Sequence, residues 1–230
     1  AITGPTALCV GATITSGNGT PGGTWSSTNT AVATIGSLTG IVNGIALGTT
    51  IVTYIVPGGC YTTTTISVSP TPGAILGSPT VCVGIATAYT NSVPGGLWTT
   101  TSSSILVGST SGLVTGVSVG TALLTYSLGS GCTAYRTLTV IPSPTAITGP
   151  SAVCIGSNIT VGNSTPGGTW SSSDVAVATI GSLSGIITGV TAGTSMITYR
   201  VSNGCYALRT ITVNPLPAAI TGTTSMCVGV

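Results

Sequence analysis

The chain has 230 residues, of which three are basic (Arg136, Arg200, Arg209) and one is acidic (Asp174), with no His, no Lys and a formal net charge of +2. Side chains that could serve as a tuned acid, base or nucleophile are almost missing. So are the His/Cys clusters that zinc needs, the carboxylate sets that calcium needs and a basic surface for nucleic acid. A non-enzyme without metal, cofactor or nucleic-acid partner is therefore expected.

Although 42% of the residues are apolar, Gly, Pro, Thr or Asn interrupts every hydrophobic segment before it reaches the 18–20 residues or so of a membrane helix. No membrane span is expected, nor a transmembrane barrel, since aromatic girdles are missing. The abundance of Thr, Ser, Val, Ile and Gly reads as half-buried strands joined by tight turns.

In chain order, Ile2 to Pro5 reads as a short edge strand and Cys9 to Ser16 as a second strand. Asn18 to Gly23 is turn material, and Thr24 to Ser27 is a strand that carries Trp25 inward. Ala31 to Ile35, Gly40 to Ile45 and Thr49 to Val56 follow, and then Pro57-Gly58-Gly59 turns the chain into Cys60 to Ser69. Seven short strands with closely spaced turns predict a β-sandwich.

The same route is then written twice more. Pro21-Gly22-Gly23-Thr24-Trp25 returns as Pro94-Gly95-Gly96-Leu97-Trp98 and as Pro166-Gly167-Gly168-Thr169-Trp170, 73 and then 72 residues further along. Ala176 to Leu183 repeats Ala31 to Leu38, whereas the second copy has drifted to Ser104-Ile105-Leu106-Val107. Pro-x-Pro linkers at Pro70-Thr71-Pro72, Pro142-Ser143-Pro144 and Pro215-Leu216-Pro217 set the expected repeats at 1–72, 73–144 and 145–217. Residues 218–230 read as the start of a fourth repeat, so the sequence is expected to be a window from a longer periodic chain. Short Pro-x-Pro linkers favour extended geometry, and the expected array is an elongated rod or fibre.

These residues carry a resemblance. Gly-Thr-Trp-Ser-Ser, Val-Ala-Thr-Ile, the run Gly185 to Thr194 and Ile197-Thr198-Tyr199 resemble bacterial Ig-like repeats of the BIG2 type, in three copies over the whole chain. The resemblance implies an all-β tandem array of small Ig-like sandwiches on a secreted or cell-surface bacterial protein. It also implies a structural, stalk-like or adhesive role, and carries over no functional residue. That family does not require cysteines, so their pairing is argued from spacing.

Each repeat has a cysteine 16 residues before its Trp (Cys9, Cys82, Cys154) and another 34 or 35 after it (Cys60, Cys132, Cys205). Seven cysteines in register suggest an oxidising, extracytoplasmic setting. Closure within each repeat (Cys9–Cys60, Cys82–Cys132, Cys154–Cys205) is the preferred expectation, with Cys227 pairing outside the sequence. Linker-crossing bonds (Cys60–Cys82, Cys132–Cys154, Cys205–Cys227) and free thiols are the alternatives. Trp25, Trp98 and Trp170 are expected in the core, packed on the disulfide, rather than exposed as ligand platforms. Tyr54, Tyr126 and Tyr199 are expected to pack near them, and Arg136 and Arg209 to be solvated on the last strand.

Asn18, Asn158 and Asn163 each open an Asn-x-Ser/Thr acceptor pattern, and hydroxyl runs such as Thr62 to Thr65 and Thr99 to Ser104 face solvent on alternate positions. So few ionic groups leave the surface poorly hydrated unless covalent glycans cover it or association is intended. The expected function is a structural component of an extracellular fibre or surface stalk, with neighbouring repeats or copies of itself as partners. The alternatives are an adhesin or carbohydrate-binding array that contacts glycans or cell surfaces, and a spacer in a large secreted enzyme.

Overall fold

The computed structural model describes residues 1–221, all of it strand, turn or loop. Cys227 and most of the expected fourth repeat lie outside the described residues. The chain divides into two compact units, Ala1–Ile141 and Pro142–Val230. The first holds two sandwiches and the second holds one, each with its own hydrophobic cluster.

The first sandwich contains β1 (Ile2–Thr3), β2 (Ala7–Cys9), β3 (Thr13–Thr15), β4 (Gly17–Asn18), β5 (Thr24–Ser27), β6 (Ala33–Ile35), β7 (Ile41–Gly44), β8 (Gly48–Ile55) and β9 (Tyr61–Ser69). A four-stranded sheet in the order β2-β9-β8-β5 faces a three-stranded sheet in the order β3-β7-β6, and β1 pairs with β4 beside them. The second sandwich repeats this with β10 (Thr80–Cys82), β11 (Ala86–Ala88), β12 (Leu97–Thr100), β13 (Ile105–Val107), β14 (Leu113–Gly116), β15 (Gly120–Ser127) and β16 (Thr133–Ile141). The third uses β17 (Ala152–Cys154), β18 (Asn158–Thr160), β19 (Thr169–Ser172), β20 (Ala178–Ile180), β21 (Ile186–Gly189), β22 (Gly193–Arg200) and β23 (Tyr206–Asn214). In these two, single bridges (Leu76 with Thr90, Thr148 with Gly162) stand where β1 pairs with β4 in the first.

Alternation along the long strands builds the core. In β8 and β9 the side chains of Val52, Tyr54, Ile66 and Val68 are buried, while Thr49, Ile51, Thr63 and Thr65 point outward. Burying each aliphatic side chain contributes about 1.5–3 kcal/mol, and the period of two fixes the register against slippage. Cys9 to Ser16 is not one strand, contrary to the sequence expectation. The chain crosses from the four-stranded to the three-stranded sheet between β2 and β3, in a turn closed by Ala12 N–H donating to Cys9 O at 3.0 Å. Gly11 in that turn has φ +80°, a conformation that costs other residues steric strain.

The first strand of each large sheet runs parallel to the last. Leu8 lies opposite Val68 and Cys9 opposite Ser69, and the same holds for Cys82 with Ile141 and Cys154 with Asn214. Period-two alternation says nothing about strand direction, so this pairing was not legible in the sequence.

One core position differs among the repeats. It is held by Ser16, Tyr89 and Val161, whose N–H groups donate to the equivalent carbonyls of Gly40, Gly112 and Gly185. Ser16 is buried, and its Oγ has no hydrogen-bond partner among the described residues. Leaving a buried hydroxyl unpaired costs about 1–3 kcal/mol. Ser16→Val, which installs the residue of the third repeat, is therefore expected to stabilise the first sandwich by about 1–2 kcal/mol in chemical denaturation. A lower midpoint would show that the site has no room for two methyl groups.

At the same position Tyr89 is buried, and its hydroxyl donates to Ser78 O at 2.6 Å. Burial raises its pKa above the ordinary tyrosine value, and the nearby Arg136 charge partly offsets this. A raised pKa means that the folded state holds the proton more tightly than the unfolded chain does. The contribution is then constant below pH ~10 and is lost as pH rises past that value. Tyr89→Phe is expected to remove this alkaline loss, which stability measured between pH 8 and pH 12 would show. An equally steep loss in the variant would place the titrating group elsewhere.

Candidate functional site

The cysteines lie at two opposite ends of each sandwich. Cys9 ends β2 beside Ser69, the last residue of β9, whereas Cys60 precedes Tyr61, the first residue of β9. Nine extended residues separate these ends, roughly 30 Å at ~3.3 Å per residue, so Cys9 cannot reach Cys60 within a repeat.

The bond that forms is Cys9–Cys132, which joins the first sandwich to the second with Cα atoms 5.6 Å apart and 123 residues between them in sequence. That Cα separation is ordinary for a disulfide. The expected Cys9–Cys60 and Cys82–Cys132 closures are thereby corrected, and so is the alternative that linked Cys132 to Cys154. Cys60 and Cys154 are exposed free thiols, and the expectation that each sits in a disulfide within its own repeat is corrected with them. Cys82 and Cys205 are disulfide-bonded.

The tryptophans are buried, but no disulfide lies within their repeat for them to pack on. Each instead packs on a tyrosine of the neighbouring strand at a centroid distance of 4.6 Å: Trp25 on Tyr54, Trp98 on Tyr126 and Trp170 on Tyr199. These pairs are directly opposite in the strand register. The tyrosines also tie down the Pro-Gly-Gly turn. The Tyr54 hydroxyl donates to Thr20 O at 2.7 Å and accepts from Gly23 N–H at 2.8 Å, with equivalent bonds at Tyr126 and Tyr199. A Cβ on Gly23 would come within 2.4 Å of the Tyr54 ring, which explains the second glycine of the motif. The Pro-Gly-Gly-x-Trp motif within each repeat is thus a structural clasp.

Arg136 and Arg209 are not freely solvated, as the sequence reading had them. The Arg136 guanidinium donates to Ile75 O and Gly77 O at 2.5 and 2.7 Å, and Arg209 donates to Ile147 O and Gly149 O at 2.5 and 2.6 Å. Each clamps the opening segment of its repeat onto the last strand. Asp174 accepts from Ala176 N–H at 2.9 Å, in the turn between β19 and β20.

The acceptor-pattern asparagines differ. Asn18 accepts from Thr20 N–H and donates to Ala1 O, and Asn163 accepts from Thr165 N–H and donates to Thr145 O. Asn91 does the same job with Val93 N–H and Gly73 O, in a repeat where no acceptor pattern exists. Asn18 and Asn163 are thus turn-forming residues in their own right. Asn158 is exposed at the start of β18; its Oδ1 accepts from the Thr188 hydroxyl at 2.7 Å, and its Nδ2 makes no hydrogen bond among the described residues.

The outward face of the first large sheet carries a cross-strand row of hydroxyls, whose counterpart reads Thr99, Thr125 and Tyr135 in the second sheet and Ser171, Thr198 and Leu208 in the third. Ser26, Thr53 and Thr63 lie side by side across β5, β8 and β9, and Thr65 lies opposite Ile51. Leu38 and Leu183, at equivalent loop positions, are 82% exposed. Among the described residues no three His, Cys, Asp or Glu side chains converge on a metal site, and no helix is long and apolar enough to cross a membrane.

Fold and cysteine geometry together define a tandem array of small all-β sandwich modules, two of them covalently joined. No protein-family model matches the chain. Ice-binding protein 1 of Shewanella frigidimarina (strain NCIMB 400) is 28% identical over 208 residues, which is 76% of this chain and 22% of that protein. The chain thus spans under a quarter of that relative's length. Among solved structures, the C-terminal fragment of intimin in complex with the translocated intimin receptor's intimin-binding domain is 20% identical with a TM-score of 0.32, over 63% of this chain and 64% of that one. Domains 1–6 of the surface layer protein SbsC are 15% identical with a TM-score of 0.28, over 94% and 40%. Drosophila N-cadherin EC1-4 is 11% identical with a TM-score of 0.26, over 92% and 72%.

Proposed function

We propose that this chain is a stretch of a secreted or cell-surface structural protein, an array of Ig-like sandwiches of the bacterial BIG2 kind whose consecutive repeats are stapled by disulfides. The observation that carries this reading is Cys9–Cys132, a bond between repeats in place of one within a repeat. A bond inside a repeat would serve only the stability of that repeat. A bond between repeats resists bending and extension of the array, which is a mechanical property. It also requires an oxidising compartment.

Two further features support the reading. The chain has four ionic side chains in 230 residues, so its surface does little to repel a second copy. Its exposed hydroxyls suit a glycan coat, and Asn158 offers the most accessible amide for one. Shearing the surface material from native cells and probing it for this chain tests the placement. Enrichment in the sheared extracellular fraction is expected, and recovery with the soluble intracellular fraction would overturn the proposal.

The hydroxyl row and the relative's name favour a second reading, in which the outward sheet face binds ice or a saccharide. Regularly spaced hydroxyls and methyls without ionic groups can hold an ordered layer of water. Thermal hysteresis or glycan-array binding that is lost on substituting Thr53, Thr63 and Thr65 with Lys would support it. No activity in either assay would leave the structural role.

A further inference from the structure

Of the three asparagines that open an acceptor pattern, Asn158 alone is not required by the fold. Asn18 and Asn163 are half-buried, and both ends of each amide are tied to nearby backbone. Their position recurs as Asn91 in the repeat that lacks the pattern there. The position of Asn158 does not recur as asparagine. It opens the edge strand of the three-stranded sheet, where the first repeat has Thr13 and the second has Ala86. A place that accepts Thr, Ala and Asn makes no structural demand for an amide.

The surroundings of Asn158 suit an acceptor. The strand is entered from a turn closed by Ser157 N–H donating to Cys154 O at 3.1 Å, and its ladder partner is β21. Asn158 and Thr160 are both exposed and share one face of the strand, while Ile159 between them packs on the core. The Thr188 hydroxyl donates to Asn158 Oδ1 at 2.7 Å. Neither Nδ2 nor the Thr160 hydroxyl makes a hydrogen bond among the described residues.

An amide nitrogen attacks only when its lone pair leaves conjugation with the carbonyl, which takes rotation about the C–N bond. Nδ2 of Asn18 and of Asn163 is held to a carbonyl oxygen and must give up that bond to rotate. Nδ2 of Asn158 gives up none.

We propose that Asn158 is the N-glycosylation site of this chain, with Thr160 as the hydroxyl that the glycosyltransferase reads. The proposal rests on the extracellular reading above and adds which of the chain's amides carries sugar. The donor is a saccharide activated at C1 by a diphosphate leaving group. Nδ2 attacks C1, an N–C1 bond forms and the C1–O bond to the diphosphate breaks. The diphosphate leaves with the electron pair of that bond, and one Nδ2 proton passes to a base of the transferase.

Joining of a further repeat leaves such a site open. In the first sandwich, whose Cys9 is bonded to the second, Thr13 remains exposed. Thr13 holds the place of Asn158, so a sugar at that place projects into solvent.

The test is mass spectrometry of intact glycopeptides from the chain as native cells make it, with fragmentation that leaves the sugar on its residue. A saccharide mass on Asn158 is expected, with Asn18 and Asn163 bare. Thr160→Val, introduced in the native cells, should abolish the modification, and Thr160→Ser should keep it. Asn158→Thr, which installs the residue of the first repeat, should abolish it as well. An unchanged tryptophan fluorescence spectrum confirms that each variant folds.

Sugar on Asn18 or Asn163 in place of Asn158, or sugar kept on Asn158 in Thr160→Val, would overturn the proposal. A bare Asn158 on chains recovered from the sheared extracellular fraction would also overturn it and would leave the array reading standing. Chains confined to the soluble intracellular fraction would overturn that reading, and the site with it.

Discussion

Cys132→Ser is expected to cost the Ala1–Ile141 unit about 5 kcal/mol in chemical denaturation. The figure follows from the 123-residue separation closed by Cys9–Cys132, on the model in which a disulfide restricts the unfolded chain. Part of the loss should be release of the two sandwiches from each other, since each keeps its own core when the bond is cut. The informative control is Cys60→Ser. A bond within the repeat would make Cys60 as important as Cys9, but an exposed free thiol makes the substitution nearly silent, within about 0.5 kcal/mol. Equal losses for Cys9→Ser and Cys60→Ser would contradict the pairing described here.

Trp25→Ala is expected to cost about 3–5 kcal/mol. The ring is buried, packs on Tyr54 and closes the core beneath the Pro-Gly-Gly turn. Its loss leaves a cavity and also loosens Tyr54, whose hydroxyl bonds Thr20 and Gly23 hold that turn. Trp25→Phe should recover about half of the loss, because it keeps an aromatic partner for Tyr54. Unchanged stability of the alanine variant in thermal or chemical unfolding would mean that Trp25 belongs to a surface site.

The parts of the architecture encoded by local pattern were legible in the sequence. Alternation in Thr49 to Val56 and Cys60 to Ser69 placed the two long strands, and the recurring Trp marked the core of each sandwich. The cysteine pairing was not legible, because it depends on the parallel pairing of β2 with β9. Spacing places Cys9 and Cys60 in one repeat; strand direction puts them at opposite ends of it.

The break between β2 and β3 was hidden for a related reason. A strand that switches sheets keeps its apolar alternation, and only Gly11 marks the turn. Arg136 and Asn18 have long-range partners, Ile75 and Ala1, that no local pattern announces. The repetition held a clue that a single repeat lacks. Asn91 lacks the acceptor pattern yet recurs at the position of Asn18 and Asn163, and a residue that recurs without the motif serves the fold.

The measurement that tests the central claim most directly is electron cryomicroscopy of the native assembly at a resolution that shows disulfides. The account predicts a continuous filament that advances roughly 35–40 Å per repeat, the length of a sandwich of extended strands with its loops. It also predicts sulfur density bridging the Cys9 position of one repeat and the Cys132 position of the next. Separate repeats closed by internal Cys9–Cys60 bonds, or bare rods that end in a distinct globular tip, would contradict it.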